Sequence, residues 1–392
     1  MRILYTAPTR AHHYHYARIL NKYGFLHRFV CGFPRWPQKS KIPELNGKVI
    51  RADFFQSLFL ISLKISLHPR ISKTLAFWAK IEQDIHCFFN LSKTDIFIFY
   101  NGSGRLTAQK AKRQGKIVIA EAVNAHIEYQ ERILKEEHSV CNVPFIPEHR
   151  REKARRIKEY EIADYIIVPS EFARRTFIEE GVPSEKLILI NYGFTPFKEK
   201  QLSPKQPSDE FRILFVGSIS IRKGVRYLYQ AFKKLQHPNK KLILVGPKTQ
   251  HTGLEEFEDF DNVEFTGILK GEELAKQYER ATVFCLPSVE DGFGLVLGEA
   301  LSYGLPIIAT CNTGGYDIIT NNKEGFIIPI RDPNSILEKL TILSSDFTML
   351  DQMSKNALRK AKLLNGWQYN EDQLIRAISN LWNKATDVNT TP

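Results

Sequence analysis

The sequence predicts an α/β protein of two doubly wound, Rossmann-like domains that face each other across a cleft. Three observations predict it. Short apolar runs alternate with helical patterns along residues 1–190 and again along 212–286, the βαβα rhythm of a mostly parallel sheet with helices on both faces. Between the two series, residues 193–208 (GFTPFKEKQLSPKQPS) hold three prolines among clustered polar residues, a linker composition. The 392 residues, 43% hydrophobic and 25% charged, suffice for two ordinary cores.

Taken in order, residues 3–6 read as a strand, those near 11–23 as a helix, 26–31 as a strand and those around 71–89 as helix. Residues 95–100 and 116–121 are strand-like and flank a helical 104–114. A long basic helix, 150–163, precedes a strand at 165–168, a helix at 171–180 and a strand at 186–190. After the linker the alternation restarts with 212–217, 225–235, 241–245, 263–265, 271–280 and 281–286. The last of these, ATVFCL, is an apolar run of the kind a fully buried parallel strand shows. Residues 367–384 look helical, with Trp367, Leu374, Ile375, Ile378 and Leu381 on one stripe. In such sheets ligands bind beyond the carboxyl ends of the strands, which for two facing domains means the cleft.

Five scattered cysteines without a Cys-x-x-Cys spacing exclude a disulfide framework or structural zinc and point to a reducing cytoplasm. The first residues enter a strand-like run without the apolar region of a signal peptide. No apolar stretch reaches the length of a membrane span. The longest candidate, 54–65 (FFQSLFLISLKI), is broken by Gln56, Ser57, Ser62 and Lys64 and reads as a core or interfacial segment. The net charge of +12 is uneven: residues 1–200 carry +13, and residues 1–80 alone hold 14 Lys and Arg against 2 acids. With Phe33, Trp36, Phe54, Phe55, Phe59, Phe77 and Trp78 in the same block, this suggests a surface for anionic lipid headgroups or an anionic acceptor. A solvated basic face is the plain alternative. No recognition motif for nucleic acid accompanies the charge.

The chemistry concentrates at 287–306. A strand leads into the turn Asp291-Gly292-Phe293-Gly294, and a helix follows over 295–303. Glycines permit close approach of a ligand, so the N–H groups of Gly292, Phe293, Gly294, Leu295 and Val296 can meet phosphate or sugar oxygens. Glu290, Asp291 and Glu299 could accept from hydroxyls or merely complement the helix dipole. In the loop 217–224, Arg222 and Lys223 stand where they could neutralise a diphosphate.

Residues 217–224, Phe265-Thr266-Gly267, and 287–299 followed by 304–310 resemble the C-terminal half of a family 4 glycosyltransferase, a group 1 enzyme of the GT-B fold, over about 212–340. The resemblance implies that Glu299 holds ribose hydroxyls and that Lys223 stabilises the leaving diphosphate. The family has two glutamates separated by seven intervening residues; here Asp291, eight positions before Glu299, takes the first position with Glu290 beside it, and either would lie near the transferred sugar. Ser218 replaces the usual arginine, for which Arg222 would compensate. Ile268 and Leu269 would offer backbone contacts to the base. Residues 121–192 resemble a subgroup whose strand-end histidine, here His126, faces the donor sugar. The family's glycine-rich loop after the first strand is replaced by 7–16, where His12, His13 and His15 have no accompanying carboxylate cluster; sugar or anion binding is expected there, not metal.

The resemblance also implies an acceptor-binding domain over 1–196, with the helix of 366–392 packing back on it, and a nucleotide-sugar-binding domain over 197–365. The implied reaction is retaining, metal-independent hexosyl transfer from a nucleotide-diphosphate sugar to a glycan or lipid-linked acceptor. It requires no cofactor. The implied setting is cell-surface polysaccharide or glycolipid synthesis, in the cytoplasm or peripherally at the inner face of the cell membrane. A sugar-nucleotide epimerase on the same scaffold and a non-catalytic nucleotide-sugar-binding protein are the rivals.

Overall fold

The computed structural model describes residues 1–9, 12–33, 43–45, 47–195, 210–257 and 259–388. Trp36, Ala11 and most of the linker, 196–208, lie outside them. The first domain runs β1 (Ile3–Ala7), α1 (His13–Lys22), β2 (Leu26–Cys31), β3 (Val49–Arg51), α2 (Phe54–Lys64), α3 (Pro69–Asn90), β4 (Ile96–Tyr100), α4 (Arg105–Arg113) and β5 (Ile117–Glu121). It continues through α5 (Ile127–Val140), α6 (Arg150–Ile162), β6 (Tyr165–Val168), α7 (Glu171–Glu179) and β7 (Leu187–Leu189). The second runs β8 (Phe211–Val216), α8 (Val225–Lys234), β9 (Lys240–Val245), β10 (Val263–Gly267), α9 (Glu272–Arg280), β11 (Val283–Leu286) and α10 (Leu295–Ser302). It closes with β12 (Ile307–Thr310), α11 (Gly315–Ile318), β13 (Gly325–Ile328), α12 (Pro333–Ser345) and α13 (Phe347–Leu364), before the long α14 (Trp367–Val388).

Both sheets are parallel, with strand orders β3-β2-β1-β4-β5-β6-β7 and β10-β9-β8-β11-β12-β13. The reason is visible in the strands. Ile96 and Ile98 of β4 enter one core layer while Phe97 and Phe99 enter the other, because alternate residues point to opposite faces and helices cover both. The order reverses between β1 and β4, and between β8 and β11, so a crevice opens at each of those strand ends. Helix starts are set by local chemistry: Ser170 Oγ accepts from the Ala173 N–H at 3.0 Å, and Asp332, before Pro333, accepts from Asn334 and Ser335 at 3.0 Å.

The segment 54–65 is not core. It forms α2, whose buried residues are the polar Gln56 and Ser62. Beneath it α3 packs on β1 and β2, and Ser62 Oγ donates to Ser72 Oγ at 2.9 Å.

The domains touch through several polar contacts. Arg331 Nε donates to Glu137 at 2.6 Å and Tyr227 OH to the same carboxylate at 2.7 Å. Asp317 accepts from the Asn191 side chain at 2.8 Å. Helix α14 lies on α1: Lys22 meets Glu371 at 2.5 Å, Trp367 stacks on His15 at 3.8 Å, and Leu374 and Ile378 are buried.

Candidate active site

The loops after β8 and β11 are neighbours because their strands pair. The Val289 N–H donates to Arg222 O at 3.0 Å, and a Cβ at Gly224 would stand 2.1 Å from Pro287 O, so only glycine, here at φ +62°, fits the turn that launches α8. This brings the predicted cations to the predicted acids. Lys223 Nζ pairs with Asp291, and Arg222 Nε donates to Glu290 at 2.6 Å.

The two acids have different surroundings. Glu290 is fully buried and accepts from Gln130 Nε2 at 2.9 Å and from the Ala125 N–H at 3.3 Å, both in the first domain. Asp291 is partnered within the second domain. Burial would raise its carboxyl, but the charges of Lys223 and Arg222 outweigh that and hold it below the usual range.

Gly294 adopts φ +78° and caps α10, leaving the first N–H groups of Leu295 and Val296 without helical partners. Gly292 lies against the first domain, where an added Cβ would come within 2.1 Å of Val123 O. Phe293 is buried and meets Tyr192 edge-on at 5.6 Å. One turn along, Glu299 accepts from Tyr278 OH at 2.9 Å. Burial raises the Glu299 carboxyl, and the Tyr278 hydroxyl lowers it in part. Ser218 is half-buried after β8; Ile268 is exposed and Leu269 half-buried just beyond β10.

The structure places His126 at the start of α5. It caps α5, its Nδ1 accepting from the Glu128 N–H at 3.3 Å, and its ring packs on Tyr160 at 4.9 Å and Phe177 at 5.0 Å. That orientation follows from the capping bond, which turns the ring back toward α6 and α7. The cavity it lines, about 300 Å³ with Glu128, Glu161 and Glu180, includes none of the residues around Lys223. The loop's partner for the second domain is Asn124, whose Oδ1 accepts from Arg222 at 3.1 Å. Asn124, Gln130 and Tyr278 carry no motif signal; only their place in the folded chain marks them.

The histidines after β1 also differ from the sequence reading, because a carboxylate does accompany them. Glu121, at the end of β5, lies 2.8 Å from His12 Nε2 and 3.2 Å from His13 Nδ1, and accepts from Tyr5 OH at 2.8 Å. All are buried, and these ligand atoms lie within 4.8 Å of one another, the spacing a metal ion would need. Each also has a hydrogen-bond partner inside the cluster, so the group is satisfied as it stands. His12 stacks on Tyr192 at 3.9 Å, which links the cluster to Phe293.

Residues 197–360 match the family described as glycosyl transferases group 1. The chain carries a group 1 glycosyltransferase domain. The chain is 23% identical over 303 residues to the putative colanic acid biosynthesis glycosyltransferase WcaL of Escherichia coli, covering 74% of this chain and 70% of the relative. It spans from 39% to 70% of the length of four of the curated relatives it matches. Two solved structures have its two-domain GT-B fold. Sucrose-phosphate synthase from Thermosynechococcus elongatus superposes with a TM-score of 0.70 at 20% identity, covering 98% of this chain and 100% of the other. Anabaena HepE in complex with UDP superposes with a TM-score of 0.66 at 15% identity, covering 97% and 100%. The matched domain contains Lys223, Asp291 and Glu299.

Proposed function

We propose that the protein is a retaining glycosyltransferase that moves a hexosyl group from a nucleoside-diphosphate sugar to an acceptor hydroxyl in the interdomain cleft. The observation that carries this reading is the meeting of Lys223 and Arg222 with the Gly292–Gly294 turn at the switch point of the second sheet. Lys223 and Arg222 pair there with Asp291 and Glu290, beside the first amides of α10, while Glu299, which accepts from Tyr278, offers a carboxylate for ribose hydroxyls. HepE with UDP and the glycosyltransferase WcaL support the reading by likeness.

In the proposed reaction the bond from the sugar's anomeric carbon to the diphosphate oxygen breaks, and a bond to the acceptor oxygen forms on the same face. The acceptor proton passes to the departing phosphate oxygen. Lys223, Arg222 and the amides of residues 292–296 meet the charge that develops on the diphosphate, with no metal ion or cofactor required. Diphosphate oxygens would compete with Asp291 for Lys223. We assign Asp291 the place near the transferred sugar and Glu290 the joining of the domains. The acceptor is a glycan or lipid-linked hydroxyl in polysaccharide or glycolipid synthesis, reached from an anionic membrane surface.

A thermal-shift panel of UDP-, GDP- and ADP-sugars tests the donor. One donor should stabilise the protein and the Glu299→Ala variant should lose the shift; a shift that survives unchanged sinks the site assignment. Anomeric analysis of the product by NMR decides retention.

A further inference from the structure

Helix α2 presents its apolar side to solvent. Phe54, Leu58, Ile61 and Ile65 follow one another at i, i+4, i+7 and i+11, so they share a face, and Phe54, Ile61 and Ile65 are 65%, 53% and 60% exposed. The polar Gln56 and Ser62 are turned inward. On α3, Ile71, Trp78 and Ile85 recur every seven residues and are also exposed. The two helices pack together as a hairpin. Glu82 accepts from the N–H groups of Phe54 at 3.1 Å and Phe55 at 2.9 Å, and the Phe55 ring lies 6.1 Å from Trp78. An exposed apolar face of this extent marks a contact surface, since folded chains rarely leave one uncovered.

We infer that the α2–α3 hairpin is a membrane-docking element that inserts its apolar face among the acyl chains of an anionic bilayer. Charge selects this occupant. Residues 54–81 contain no carboxylate, while Lys64 and Arg70 are exposed at the hairpin's turn, where they can reach headgroup phosphates. A second copy of the chain would bring like charges together with no acid from this segment to pair them. No described helix is long and apolar enough to cross a membrane, so the hairpin lies in the interface. The inference deepens the acceptor reading above, but binding to lipid does not depend on the donor site.

The test is flotation of the full-length protein with vesicles of phosphatidylcholine, alone or with about 30 mol% phosphatidylglycerol, at low and high salt. Binding should require the anionic lipid and weaken with salt. The double variant Ile61→Asp/Ile65→Asp should lower partitioning roughly tenfold or more, and Lys64→Glu/Arg70→Glu should lower it while leaving the melting temperature and donor-induced thermal shift in place. If the aspartate pair unfolds the protein, Phe54→Ser on the same face replaces it. A wild-type protein that stays off anionic vesicles overturns the inference. So does one that sediments as a dimer, made monomeric by Ile61→Asp, without vesicle binding. A lost donor shift with vesicle binding intact would instead count against the glycosyltransferase reading.

Discussion

Gln130 of α5 donates to Glu290, beyond β11, at 2.9 Å, so the acid that precedes the glycine turn is held from the opposite domain. The Arg222 guanidinium reaches the same oxygen at 2.6 Å. Glu290 therefore ties the loop after β8 to the first domain.

Replacing it tests that coupling. Glu290→Ala removes the buried acceptor that Arg222 Nε and Gln130 Nε2 share, and should cost about 3 kcal/mol in urea denaturation. Small-angle scattering should show the domains further apart. Asp291→Asn, whose partner lies within the second domain, should leave the scattering curve unchanged.

Tyr278 sets how Glu299 titrates. Burial raises the Glu299 carboxyl and the Tyr278 hydroxyl partly reverses this, so Tyr278→Phe should move the midpoint higher. Only the ionised carboxylate can accept from both ribose hydroxyls, so nucleotide affinity, measured by calorimetry between about pH 5 and 7, should rise with pH and do so later in the variant. The stability effect has the opposite sense. A carboxyl raised on folding contributes stability below its unfolded value and loses it as pH rises through the folded one. Glu299→Gln should therefore melt higher than the wild type at neutral pH while binding nucleotide more weakly. Identical pH profiles for wild type and Tyr278→Phe would break this account.

Gly292 tests the closeness of the domains. Its φ imposes no need for glycine, but an added methyl would stand 2.1 Å from Val123 O and 2.7 Å from Asn124 Cα, both backbone atoms. Gly292→Ala should destabilise by about 1–3 kcal/mol through overpacking, with loss of donor-induced stabilisation in the same melts. An alanine variant that melts and binds like the wild type would mean the cleft is wider than described.

The sequence by itself determined the elements whose signal is local. β6 was readable as 165–168 because four consecutive apolar residues between two helical patterns leave few alternatives, and the switch-point loops were readable because adjacent cations and paired glycines lie within a few residues of each other. The tertiary structure decided what depends on long separations. Glu121 is more than 100 residues from His12, so no spacing could announce the carboxylate that joins the histidines. Glu290 and Asp291 are neighbours in sequence, and only the approach of Ala125 and Gln130 distinguishes the acid that joins the domains from the one that faces Lys223. Helix α2 shows the limit most plainly: its composition is that of a core, and it is exposed because α3 lies between it and the sheet. Hydrophobicity is written in the residues, whereas burial is a competition among elements for a limited surface.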